Sequence, residues 1–149
     1  MTMSRTVFWA AGAGLALSIA GLTAWAGPME DRQAAMKQVA QSMKEASAFT
    51  SAQTPFDAAK AKASMGQISD AARKLKGLYP AGSGTDPKSA ADPKVWENKA
   101  DFDKRLAEMG TLAAAAGKSA DQAAFKTAFG EVGASCKSCH DIYRKKKTS

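Results

Sequence analysis

Phe125-Lys126-Thr127-Ala128-Phe129-Gly130-Glu131-Val132-Gly133-Ala134-Ser135-Cys136-Lys137-Ser138-Cys139-His140-Asp141-Ile142-Tyr143 is the stretch from which the rest of the chain can be read. Its apolar and sulfur-bearing residues, Phe125, Phe129, Val132, Cys136, Cys139 and Tyr143, recur in steps of three and four. Such steps return a side chain to one side of an α-helix, whereas a strand would alternate. The same stripe holds His140. The 149-residue chain has two cysteines and one histidine, and all three lie in Cys136-Lys137-Ser138-Cys139-His140. C-x-x-C-H is the attachment signature of c-type haem: two thiols add to the porphyrin vinyl groups and the adjacent imidazole ligates the iron. Residues at i, i+3 and i+4 of a helix share a face, so both sulfurs and the imidazole can meet one porphyrin. A structural zinc site needs four ligands, and no other Cys or His exists to complete it. A thioredoxin-like dithiol would need a βαβ context, and no alternating strand pattern is present.

Working back from this helix, Ser119 with Gln122 forms a capping box at its start. Three more helices precede it. The first runs from about Glu30 to Phe49, with Met36, Val39, Ala40, Met43 and Ala46 at helical spacing. Thr54-Pro55-Phe56-Asp57 supplies an N-cap, a proline at the first helical position and an acid, so a second helix starts there and carries Ala61, Met65, Ile68, Ala72 and Leu75 towards Gly77. From Leu78 to Ala91 the composition turns to Gly, Pro, Ser and Asp, which marks a long loop. Asp92-Pro93 opens the third helix, with Val95, Phe102, Leu106, Met109 and Ala113 on one side, ending before Gly117. Four amphipathic helices with short outer connections and one longer central crossover predict an all-α, antiparallel four-helix bundle of up-down-up-down order. Many stripe positions are alanine, which leaves interior space for something bulky, and a haem is a natural filler.

At the N-terminus, Arg5 precedes the uncharged apolar run Val7 to Leu22, and Ala24-Trp25-Ala26 gives a small-x-small cleavage pattern before Gly27. Residues 1–26 therefore read as a cleaved signal peptide and residues 27–149 as one haem-binding bundle; no later segment is expected to span a membrane. Loss of Arg5 takes the formal charge from +7 to +6. That charge bears on encounter and steering. Nucleic acid is not the expected partner, because the basic residues are dispersed and their one cluster, Arg144 to Lys147, sits at a helix C-terminus where cations complement the dipole. An enzyme is not expected either: the single imidazole is committed to the haem motif, and no nucleophile stands beside a base.

The sequence resembles cytochrome c′ and its low-spin c-556-type relatives, the class II c-type cytochromes. The resemblance is carried by Phe129 to Arg144, by Arg32-Gln33-Ala34-Ala35-Met36-Lys37 and by Pro93-Lys94-Val95-Trp96. It implies one covalently bound haem c per chain, attached through Cys136 and Cys139, with His140 as proximal ligand. It also implies Arg32 near a haem propionate and Arg144 beside the proximal haem face. Haem attachment of this kind takes place outside the bacterial cytoplasm, so the resemblance implies the periplasm, with a redox protein or a diatomic gas as partner. A homodimer through the first two helices is a further implication.

Met36 divides two functions. The family position faces the distal side of the iron, and a thioether there can become a sixth ligand, favouring the reduced metal and electron transfer. Without that bond the iron is five-coordinate and takes nitric oxide or carbon monoxide. The methionine chemistry favours a soluble, His/Met-ligated electron carrier, with the five-coordinate gas-binding cytochrome c′ as the alternative. Met on a helix stripe can equally be core filler, as for Met43 two turns on.

Overall fold

The computed structural model describes residues 27–146. The expected signal peptide, residues 1–26, lies outside them. The first helix, α1, spans Pro28–Ser47, with proline in its first turn, where a missing N–H costs nothing, and Glu30 and Asp31 beside the positive end of its dipole. A 3-10 turn, Ala48–Thr50, continues it and buries Phe49. The second helix, α2, spans Ala58–Lys76. Its cap is Asp57, whose carboxylate accepts from the Lys60 N–H at 3.0 Å, and not the expected Thr54. Phe56 explains the later start: its ring, partly buried, packs 5.5 Å from that of Phe125, and the helix begins only after it.

After the loop, Asp92 opens helical structure by accepting from the Lys94 N–H at 3.0 Å, as the sequence suggests. The helix that begins there lasts one turn. This α3, Lys94–Glu97, is broken at Asn98 (φ −127°, ψ 54°) and followed by α4, Lys99–Ala116. The last helix, α5, spans Gln122–Tyr143 and is capped by Asp121, whose carboxylate accepts from the Ala124 N–H at 2.9 Å. The capping box expected from Ser119 and Gln122 is absent. The Gln122 amide instead donates to the carbonyls of Phe49, Ser51 and Thr54, tying the α1–α2 connection to the start of α5.

The long helices form a four-helix bundle. Among the described residues there is no strand, only an isolated bridge between Ala91 and Arg144, and no helix is long and apolar enough to cross a membrane. α1 packs on α2, α2 on α4 and α4 on α5, around Met65, Ile68, Leu75, Leu106, Phe125 and Val132, all fully buried. The α2–α4 contact is close enough that a Cβ on Gly110 would lie 3.2 Å from that of Ala72. The fourth neighbouring pair does not close. α1 and α5 meet chiefly through the 3-10 turn at one end, and along the rest of their length they leave a seam.

The sequence stripe on α1 divides at this seam. Its buried face is Arg32, Ala35, Val39, Ser42 and Ala46; apart from Arg32 these are short side chains that bring α1 close to its neighbours. Met36 and Met43 are only partly buried and Ala40 is exposed, because they belong to the adjacent face, towards the seam.

Candidate haem site

The seam opens into a cavity of about 670 Å³. That is ample for a cofactor-sized ligand, for which roughly 300–1,000 Å³ is usual. On the α1 side its wall is Met29, Met36, Val39, Ala40 and Met43; on the α5 side it is Gly133, Cys136, Cys139, His140 and Tyr143. The three methionines stand seven residues apart, two helical turns each, so one apolar thioether face runs along the cavity. Tyr79, Val95 and Phe102 form its back, and Ser89, Ala90 and Ala91 of the long loop close one end.

Cys136, Cys139 and His140 share an unbroken stretch of α5, so all three project to the cavity side of one helix. Both thiols are free and half-buried. Burial pushes the Cys139 thiol up to about 11, against the opposing pull of Arg105, and raises Cys136 as well. Cys136 Sγ lies 3.9 Å from Met109 Sδ. Partial burial, aided by the cation of Arg144, lowers His140 below its ordinary value, which favours the neutral imidazole that a metal needs.

Arg32 is the buried cation of the site, 4% exposed. Its guanidinium donates to the Ser83 hydroxyl at 3.1 Å and to the Ser83 carbonyl at 3.0 Å. It also sits over the rings of Tyr79 and Trp96, at 4.9 and 5.7 Å from their centroids. No carboxylate pairs with it among the described residues. Arg144 is exposed at the cavity rim, in the bridge that joins Ala91 to the end of α5. Two backbone bonds hold that junction, Asp92 N–H to the Tyr143 carbonyl and Lys145 N–H to the Ala90 carbonyl, each 2.9 Å.

All six residues singled out from the sequence, Arg32, Met36, Cys136, Cys139, His140 and Arg144, line this one cavity. Sequence reading missed the layer behind them. Trp96 Nε1 donates to the Pro80 carbonyl at 2.9 Å, and its indole lies so close to Gly84 that a Cβ there would sit 2.7 Å from Cζ3. This pins the glycine-rich loop next to Arg32. The hydroxyl of Tyr143 donates to Asp101 at 2.6 Å, and Asp101 also accepts from Arg105 Nε at 2.7 Å. Composition marks the first only as a loop and the second only as a stripe end.

The residues fit a covalently held haem. A large apolar slot carries two thiols and an imidazole on one wall, a thioether face on another, and an unpaired buried cation suited to a propionate. No cluster of three or more His, Cys, Asp or Glu that could hold a bare metal ion occurs among the described residues.

Comparison with known proteins agrees with that chemistry. A family model described as Cytochrome C′ matches residues 27–144. The chain is 42% identical over 130 residues to cytochrome c-556 of Agrobacterium fabrum, covering 86% of this chain and 88% of that one. It is 41% identical over 118 residues to a cytochrome c′ of Rhodopseudomonas palustris, covering 78% and 81%. A solved structure of cytochrome c′ from Rhodopseudomonas palustris superposes with a TM-score of 0.77 at 39% identity, over 83% of this chain and 99% of that one.

Proposed function

The chain belongs to the cytochrome c′ family of c-type cytochromes, which carry covalently bound haem c, and from that premise we propose that it is a periplasmic electron carrier whose iron is held by His140 and Met36. The observation that carries the finer reading is that His140 on α5 and Met36 on α1 reach the same cavity from the two helices flanking the seam. Family likeness alone does not choose between six- and five-coordinate iron, since relatives named c′ and c-556 match equally well.

When bound, the haem supplies an iron that cycles between ferric and ferrous states. Cys136 and Cys139 would hold the porphyrin through two thioether bonds, and the neutral His140 imidazole would ligate the metal. Met36 would bring a soft thioether, a ligand type that favours the ferrous ion. The apolar wall of Val39, Met43, Val95 and Phe102 would shield the metal from water, and Arg32 and Arg144 would offer cations to the propionates. Nothing in this arrangement transforms an organic substrate, so the reading is a carrier and not an enzyme. The dispersed positive charge suits an acidic redox partner, and α1 with α2 provides the face for a homodimer.

Optical spectra of the ferric and ferrous protein, with and without carbon monoxide, test the assignment. The wild type should be low-spin and bind carbon monoxide slowly, because a bond must break first. Met36→Leu should be high-spin, lower in potential and at least tenfold faster in binding the gas. A wild type that is already five-coordinate and high-spin, with a spectrum that Met36→Leu leaves unchanged, would reduce Met36 to packing and put the gas-binding function first.

A further inference from the structure

Among the described residues, the oxidisable rings Tyr79 and Tyr143 line the cavity, and Trp96 stands beside Tyr79. With Phe102 they form a continuous chain, Tyr143 to Phe102 at 5.2 Å between centroids, Phe102 to Tyr79 at 4.6 Å and Tyr79 to Trp96 at 6.1 Å. Their electrostatic settings differ. The Arg32 guanidinium lies over both Tyr79 and Trp96, and a cation against a ring opposes removal of an electron from it. Tyr143 has an anion instead. Its hydroxyl donates to the Asp101 carboxylate at 2.6 Å, within the short range of a charge-assisted O–H···O⁻ bond.

We propose that Tyr143 is a redox-active residue, a one-electron donor to high-potential oxidants that reach the haem cavity, with Asp101 as the acceptor of its proton. A phenol that loses an electron becomes a very strong acid, so its oxidation is easy only where a base already holds the proton. The pair meets that need. One electron passes to the oxidant, the Tyr143 O–H bond breaks, and the proton moves to Asp101. The products are a neutral phenoxyl, a protonated carboxyl and an oxidant reduced by one electron. Burial and the bond to Asp101 push the phenol up to about 12, so it enters the step protonated and the electron and proton must leave together.

Position and shielding support the role. Tyr143 follows His140 by three residues, lines the same cavity, and is 4% exposed, which protects a radical from solvent. The Asp101 side chain is 34% exposed and also bonds Arg105 Nε, with Lys104 nearby, so it stays ionised at neutral pH and can pass a proton outward. A purely structural tie between α4 and α5 would need the hydrogen bond but not the placement beside the cofactor. The inference stands apart from Met36 ligation, because it depends on the phenol and its base and not on the sixth ligand.

The test is flash oxidation of the haem-loaded protein by photogenerated tris(bipyridine)ruthenium(III), read by electron paramagnetic resonance and transient absorbance. Wild type should give a tyrosyl radical that is lost in Tyr143→Phe and kept in Tyr79→Phe and Trp96→Phe. Asp101→Asn keeps an acceptor atom but removes the base, and radical formation should slow on the order of a hundredfold, the usual worth of a positioned proton acceptor. Wild type should also show a solvent deuterium effect, which needs no variant to fold. A radical residing on Tyr79 or Trp96 in the wild type, no tyrosyl radical at all, or formation as fast in Asp101→Asn as in wild type would each overturn the proposal.

Discussion

Replacing Arg32 by methionine should destabilise the haem-loaded protein far more than the haem-free one. Arg32→Met keeps a linear apolar stem in a site that is 4% exposed, so packing changes little and the guanidinium alone is removed. That group makes two hydrogen bonds to Ser83, at 3.1 and 3.0 Å, each worth roughly 1.5–3 kcal/mol when the donor is charged. Its two ring contacts add about 0.5–2 kcal/mol each. Against these stands the desolvation of an ion with no carboxylate partner, several kcal/mol. In the haem-free chain the opposing contributions nearly cancel, and the loss should be about 1 kcal/mol or less. A propionate in the cavity adds the missing anion through charge-assisted bonds, and the loss should rise to about 3 kcal/mol. For a bundle of this size that is a fall in Tm of roughly 12 °C. Calorimetry of both proteins, each with and without haem, measures the difference. Equal shifts in the two forms, or none in the loaded form, would refute the claim that this buried cation waits for an anion from the cofactor.

The other expectations are simpler to state. Replacing both Cys136 and Cys139 by alanine should remove the haem-staining band from denaturing gels and lower the helicity and the thermal midpoint measured by circular dichroism; a midpoint matching the loaded protein would count against this. Gly84→Ala should cost about 1–3 kcal/mol in urea unfolding, because a Cβ 2.7 Å from Trp96 Cζ3 must displace the indole or the loop. The bonds from Tyr143 and Arg105 hold the Asp101 carboxyl below its ordinary 3.8, so its contribution to stability is complete above that value and disappears as pH falls through the lower, folded one. Urea midpoints of wild type and Asp101→Asn should therefore differ by a constant amount above about pH 5 and converge below about pH 4; a gap that widens in acid would show the sign to be wrong.

What could be read in the sequence was what depends on period and on covalent chemistry. The helical spacing of Phe125 to Tyr143 and the C-x-x-C-H string needed no partner to be recognised. Helix starts were misread where a long-range contact outbid a local cap. Thr54-Pro55 offers a start, but packing Phe56 on Phe125 delays the helix to Asp57. Gln122 suits a capping box, but three carbonyls of the α1–α2 connection take its amide and leave the cap to Asp121. The stripe of α1 shows a different limit. Met36, Val39, Ala40 and Met43 are one apolar run in sequence, yet all four line the cavity and only Val39 among them is also buried against the helices. Hydrophobicity cannot tell a protein neighbour from a cofactor, since both exclude water.

The seam between α1 and α5 gives that distinction an energetic meaning. At about 24 cal/mol per Å³, a sealed void of 670 Å³ would cost about 16 kcal/mol, as much as or more than the roughly 5–15 kcal/mol that holds an ordinary domain together. The seam is open to water, so the real cost is smaller, but water held against its apolar walls still works against the fold. The same apolar walls that leave α1 and α5 apart in the polypeptide are therefore the surface by which a porphyrin would complete the bundle. On this view the two thiols do more than retain a cofactor. By making its loss impossible short of breaking carbon–sulfur bonds, they would make the fourth side of the core permanent, and the ligands proposed for the iron would share that rigidity.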